Sequence, residues 1–148
     1  MIRARLILAV AGATLAAFAL LQLVPYGRAH RNPPVVRNVV WDSPQTEDLA
    51  RRACFDCHSN ETRWPWYAAV APVSWRIQTH VDRGRSKLNF SRMDLPQEEA
   101  GESAETVRTG SMPPADYVFM HPRARLTRRE RQALIEGLVA TLGEGEGH

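Results

Sequence analysis

Cys54-Phe55-Asp56-Cys57-His58 contains both cysteines of a 148-residue chain, three positions apart, with a histidine directly after the second. Residues three apart on a helix share a face, so the two thiols project the same way. The imidazole of His58 falls beside them. C-x-x-C-H is the attachment pattern of a c-type haem: two thiols can form thioethers with the vinyl groups along one porphyrin edge, and the histidine can bind the iron as proximal ligand. The candidate cofactor is one haem c, attached through Cys54 and Cys57 and ligated by His58.

Three other chemistries use a C-x-x-C pair: a zinc half-site, a thioredoxin-like redox pair and a structural disulfide. A structural zinc site wants four ligands, and the chain has no second Cys pair and no H-x₃₋₅-H to complete it. A thioredoxin motif belongs to a βαβ unit, whereas the flanking sequence reads as helix and loop.

At the front, Leu6 to Val24 carries no charge and is apolar except at Gly12, Thr14 and Gln22, long enough to cross a bilayer once. Arg3 and Arg5 precede it, and positive charge kept inside would leave everything after Tyr26 outside. The alternative is a cleaved signal peptide, with Ala17-Phe18-Ala19 as the small-x-small site. Against it, Leu20, Leu21, Leu23 and Val24 prolong the apolar run past that point, so an uncleaved anchor is the expectation. Of 19 Lys and Arg, Arg3 and Arg5 lie ahead of the anchor, leaving 17 against 16 Asp and Glu beyond it. A near-neutral exported part carries no nucleic-acid footprint.

Beyond the segment 1–27, residues 28–42, with Asn32-Pro33-Pro34, read as an extended linker. A helical domain is expected over 43–143. Ser43 as N-cap and Pro44 at the first helical position open a helix whose apolar spacing through Leu49, Ala50, Ala53 and Cys57 delivers the motif at its end. Thr127-Arg128-Arg129-Glu130 is a capping-box signature ahead of a last helix with Ala133, Leu134, Leu138 and Leu142 on one face and Gly143 as its stop. Between them, one helix is expected from Pro72 past Val81 to about Gly84, and another over Leu95–Thr109, with Pro96 near its start and Glu98, Glu99 and Glu102 early in it. The fold class is all-α. Two terminal helices, the first ending in C-x-x-C-H, resemble the cytochrome c fold. Residues 144–148 read as a flexible tail, with His148 solvated.

Trp64, Trp66, Tyr67 and Trp75 form an aromatic concentration that a large flat cofactor would explain, so at least one of them is expected against the porphyrin. For the iron's distal side the candidate is Met112, in the proline-stiffened loop Gly110-Ser111-Met112-Pro113-Pro114, since a thioether ligand raises the reduction potential. His80 and His121 are the rival ligands and would give a bis-histidine site. The basic run from Arg123 to Arg131 is a candidate partner for haem propionates or an acidic docking protein.

These residues together resemble the bacterial haem-binding domain family of small, anchored, monohaem c-type cytochrome-like proteins. The resemblance is carried by Asn32-Pro33-Pro34, Cys57-His58-Ser59-Asn60-Glu61-Thr62, Trp64-Pro65-Trp66-Tyr67 and Ala71-Pro72-Val73-Ser74-Trp75 with His80-Val81. It continues through Gly84-Arg85, Leu88-Asn89-Phe90-Ser91, Met112-Pro113-Pro114, Tyr117, His121-Pro122 and Leu126, spanning about Asn32 to Leu142. Met93 departs from it, standing where an aromatic often follows Asn-Phe-Ser. The resemblance implies one covalent haem, an all-helical domain and an extracytoplasmic setting, here the periplasmic side of the inner membrane. It implies no known reaction. The functional expectation is an electron carrier, not an enzyme, that is tethered to the membrane and exchanges electrons with redox partner proteins. The alternatives, a haem-based sensor or a peroxidase-like enzyme, both need an open distal site.

Overall fold

A computed structural model describes residues 2–144; the expectations for a tail at 145–148 and for His148 lie outside them. The chain is all-helical, and among the described residues there is no strand, only an isolated bridge between Arg37 and Arg92. The described residues form seven α-helices: α1 (Ile2–Leu21), α2 (Pro44–Ala53), α3 (Phe55–His58), α4 (Val73–Lys87), α5 (Ser103–Arg108), α6 (Ala115–Met120) and α7 (Arg128–Leu142), with short 3₁₀ turns at Trp66–Ala69 and Pro122–Ala124. They divide into two compact units. The first comprises the residues up to Arg31 with Trp64–Thr79, and the second Asn32–Arg63 with the residues from His80 onward.

In the first unit, α1 is long and apolar enough over Arg3–Leu21 to cross a membrane. Its 19 residues span about 28 Å at 1.5 Å each, close to the ~30 Å of a hydrocarbon core. Where α1 ends, Gln22 brackets the backbone of Ala71: its Nε2 donates to Ala71 O at 3.0 Å and its Oε1 accepts from Ala71 N at 3.0 Å. Gly27, at φ +78°, lets the chain run against Ser74, where a Cβ would lie 2.7 Å from the carbonyl carbon. His30 stacks on Trp64 with ring centroids 4.9 Å apart, and its Nε2 sits 3.1 Å from Ala68 O.

The second unit is built on α2, α5 and α7. The N-terminus of α2 forms as its sequence predicts, with Ser43 Oγ accepting from Thr46 N at 3.2 Å. Both arms of the Thr127–Glu130 capping box are present on α7. The two helices cross closely because position 137 is glycine: a Cβ there would lie 2.8 Å from Thr46 Cβ. Leu49, Ala50, Ala53, Ala104, Val107, Leu134, Ile135 and Leu138 fill the space between the helices. Below them Phe55, Phe90 and Trp41 pack as an aromatic group, with Phe55–Phe90 stacked at 5.4 Å and Trp41–Phe90 at 5.0 Å.

Residues 34–39 are extended and hydrogen-bonded into this unit. Val36 N and Arg37 N donate to Ser91 O at 3.1 and 3.2 Å, and Val39 N to Phe90 O at 2.9 Å. Two expectations need correction. Helix α4 does not stop at Gly84 but runs to Lys87. The segment 95–109 holds only the six-residue α5, preceded by turns, because Gln97 is turned back to accept from Asn89 N at 2.7 Å and to donate to Arg92 O at 2.9 Å.

Candidate functional site

Cys54 closes α2 and opens α3. Its N–H donates to Ala50 O at 2.8 Å, while its carbonyl accepts from Cys57 N at 3.1 Å and His58 N at 2.9 Å. The motif is therefore one tight helical turn, and both cysteines are free thiols. Burial, reinforced by Cys57, pushes the Cys54 thiol up to about 12. Burial and then Asp56 push Cys57 up to about 11, with Arg85 opposing. Catalytic thiols of redox pairs have depressed values.

His58 is fixed from behind. Its Nδ1 lies 3.1 Å from Leu88 O; a carbonyl only accepts, so Nδ1 carries the hydrogen and Nε2 keeps the lone pair that a metal needs. Burial lowers its pKa below the ordinary histidine value, opposed by the Leu88 and Gly84 carbonyls, which keeps the ring neutral at neutral pH.

Cys54, Cys57 and His58 line a cavity of about 200 Å³ in the second unit, together with Ala53, His80, Arg83, Gly84, Lys87, Met112, Pro114 and Tyr117. A neighbouring space of about 240 Å³ shares Ala53, Cys54, His58, Lys87 and Met112 with it, and adds Phe90, Val107 and Leu138. Together they fall in the size class of cofactor sites, about 300–1,000 Å³. A larger concavity of about 390 Å³, lined by residues 38–44 with Glu47, Arg51 and Phe55, contains no thiol, thioether or imidazole.

Five of the six candidate ligating residues thus meet at one cavity: Cys54, Cys57, His58, Met112 and His80. His121 is not among the lining residues; its ring stacks on Tyr117 at 4.1 Å and its Nδ1 lies 3.0 Å from the Tyr117 carbonyl. One wall comes from α4, where His80, Arg83, Gly84 and Lys87 recur at i, i+3, i+4 and i+7 on one helix face. Gly84 explains why α4 is uninterrupted there. A Cβ at this position would lie within 3.0 Å of the Cys57 carbonyl and side chain, so the residue is glycine for close approach and not for termination.

The cations at the cavity are Arg83 and Lys87, with Lys87 Nζ 2.7 Å from both Glu99 carboxylate oxygens. The run from Arg123 to Arg131, expected as the partner of acidic haem groups, supplies none of the lining. Trp64, Trp66, Tyr67 and Trp75 belong to the first unit, and the aromatic side chains lining the second unit's cavity and its neighbouring space beside His58 are Tyr117 and Phe90.

Two features were not anticipated. Tyr117, on α6, donates to buried Asp56 Oδ2 at 2.7 Å, and Asp56 Oδ1 accepts from Arg63 N at 3.0 Å, so the residue between the two cysteines is tied to the wall that faces them. Burial, followed by Asp56, raises the Tyr117 pKa and keeps the phenol neutral. Behind the motif, Arg85 Nε donates to Ser59 O at 2.8 Å, Asn89 Nδ2 to Asn60 Oδ1 at 2.9 Å, and Asn60 N to Ser91 Oγ at 3.0 Å. A buried polar network thus holds the chain that leaves His58. The spacing of His80, Arg83, Gly84 and Lys87 was the available signal for the α4 wall; the Tyr117 contact, 61 residues away in sequence, had none.

The donor set suits haem: two thiols on one turn, a neutral imidazole with its far nitrogen tied to a carbonyl, and a thioether, all on one cavity, beside a space lined by Phe90, Val107 and Leu138. No curated protein and no solved structure matches the chain. The model of the haem-binding domain matches residues 16–140, most of the chain's length, and the protein belongs to that family.

Proposed function

We propose that this chain holds its haem covalently through Cys54 and Cys57, with His58 as proximal ligand and Met112 on the opposite side. On this reading it is a one-electron carrier tethered by α1 to the periplasmic face of the inner membrane. The observation that carries it is the meeting of Cys54, Cys57, His58 and Met112 at one cavity. When bound, the haem supplies a one-electron couple whose potential follows from axial ligands, hydrogen bonds and burial.

The residues divide the remaining work. The thiols attach the cofactor and so remove its dissociation. Leu88 O holds the His58 ring in one tautomer and orientation. Arg83 and Lys87 place positive charge where acidic groups of the cofactor can pair. Met112 is preferred to His80 as the distal ligand because it borders both parts of the cavity beside Cys54 and His58, whereas His80 borders one. Arg3 and Arg5 ahead of α1 would keep its N-terminus inside. Carrying electrons requires redox partners but no substrate pocket and no acid–base group, so this reading is of a carrier and not an enzyme.

A second reading has one observation in its favour. Met112 is 37% exposed, and a thioether that swings out would leave His80 facing an open position, as a ligand sensor or a peroxidase-like site requires. Absorption spectroscopy of the ferric protein separates the two. The carrier predicts a six-coordinate spectrum with a thioether-to-iron charge-transfer band that disappears in Met112→Ala and persists in His80→Ala. A high-spin five-coordinate spectrum in the wild type would establish the open site instead.

A further inference from the structure

The first unit carries an aromatic segment of its own, Trp64, Trp66, Tyr67 and Trp75. Three stretches of the first unit meet where α1 ends: Gln22–Arg28, His30, and Trp64–Thr79. Gln22 holds Ala71 from both sides, Arg28 Nη2 donates to Gln22 Oε1 at 3.0 Å, and Tyr26 Oη lies 3.3 Å from Thr79 Oγ1. Gly27 runs against Ser74, and His30 against Trp64 and Ala68. These are contacts of a fixed junction, since a loose tether would need none of them.

The junction exposes what a soluble surface hides. Trp66 is 82% exposed and Leu23 76%, and Val24, Tyr26 and Val73 are exposed with them. Tyr67 meets Trp66 edge to face at 5.7 Å. Tryptophan and tyrosine are the residues enriched at bilayer interfaces, where a flat apolar ring with one polar atom suits the headgroup layer, and arginine suits the phosphates above it. Arg31 and Arg76 are exposed on the same unit.

We propose that the Trp64-Pro65-Trp66-Tyr67 turn is a membrane-seated collar, with Trp66 inserted at the headgroup level of the leaflet from which α1 emerges. The occupant of this exposed surface is the phospholipid bilayer, because the surface is continuous with the end of the helix that enters it. The collar rests on the reading of α1 as an anchor, and adds that the chain is gripped by the leaflet at a second place, 45 residues beyond Leu21 in sequence.

The test uses the full chain in vesicles of phosphatidylethanolamine and phosphatidylglycerol, with the photo-crosslinking residue p-benzoylphenylalanine in place of Trp66 or, separately, Leu15. Trp66 is exposed, so replacing it leaves the fold intact. Mass spectrometry of the irradiated protein should find lipid adducts at both positions. Lipid adducts at Leu15 but none at Trp66 would overturn the collar and leave the anchor standing. No lipid adduct at Leu15 would overturn the anchor, and the collar with it. Protein-to-protein adducts at Trp66 in place of lipid would assign the surface to a second copy and overturn the proposal. Without any crosslinker, the emission lost between wild type and Trp66→Phe should be quenched by headgroup-labelled nitroxide lipid; quenching only by a soluble agent would overturn the proposal.

Discussion

Two aromatic groups of similar composition play opposite parts in this protein. Trp41, Phe55 and Phe90 pack ring against ring in the second unit, with Phe90 only 1% exposed and its ring 6.3 Å from that of His58. Trp64, Trp66, Tyr67 and Trp75 belong to the first unit, at the end of an apolar helix, and Trp66 is 82% exposed. The two groups differ in their neighbours: Phe90 lies between the Asn89 and Ser91 hydrogen bonds and donates its own N–H to the His58 carbonyl at 2.8 Å, whereas Trp66 lies in the turn whose Trp64 and Ala68 meet His30, beyond a membrane-length helix.

The largest effect is expected in the buried group. Phe90→Ala removes a ring that supports both the core and the cavity wall, and should cost about 3–5 kcal/mol in urea unfolding. A loss below about 1 kcal/mol would mean that the ring is not packed as described. Gly84→Ala is next. Its methyl group would meet Cys57 backbone, which cannot move without displacing the motif, so a loss of about 1–3 kcal/mol and a shifted haem spectrum are expected. An unchanged spectrum and stability would show that α4 does not approach Cys57 so closely.

Tyr117→Phe tests the other wall. The buried Asp56 carboxylate would lose a 2.7 Å donor, which should cost about 1–3 kcal/mol and loosen the α6 segment, read as faster amide exchange there. At the exposed end of the comparison, Trp66→Ala should change unfolding free energy in detergent by no more than ~0.5 kcal/mol. A loss as large as that of Phe90→Ala would make the two aromatic groups alike and remove the contrast.

These cases also explain how far the sequence could be read. The C-x-x-C-H turn, the Ser43 cap and the Thr127–Glu130 box are local: each is decided by residues within four positions, and spacing alone reveals them. Gly84 and Gln97 escape a reading by spacing because their roles are tertiary. The glycine serves an approach to Cys57 across 27 positions, and the glutamine bonds back to Asn89 and Arg92, breaking the expected helix. Helix α6 was not anticipated at all. None of its residues is buried, so no apolar period announces it, and Tyr117 reaches Asp56 across 61 positions. The candidate ligands were legible as residue types; that His80 and Met112 line the cavity and His121 does not required the fold.

Attachment of the haem through Cys54 and Cys57 is the proposal on which the other roles depend. Its direct test is peroxidase-based haem staining on a denaturing gel of membranes from cells with an intact c-type maturation system. The wild type should stain at the protein's full mass, and the Cys54→Ser, Cys57→Ser double variant should give no stain at equal protein. Stain that survives in the double variant, or a wild type that releases all its haem on denaturation, would contradict the claim.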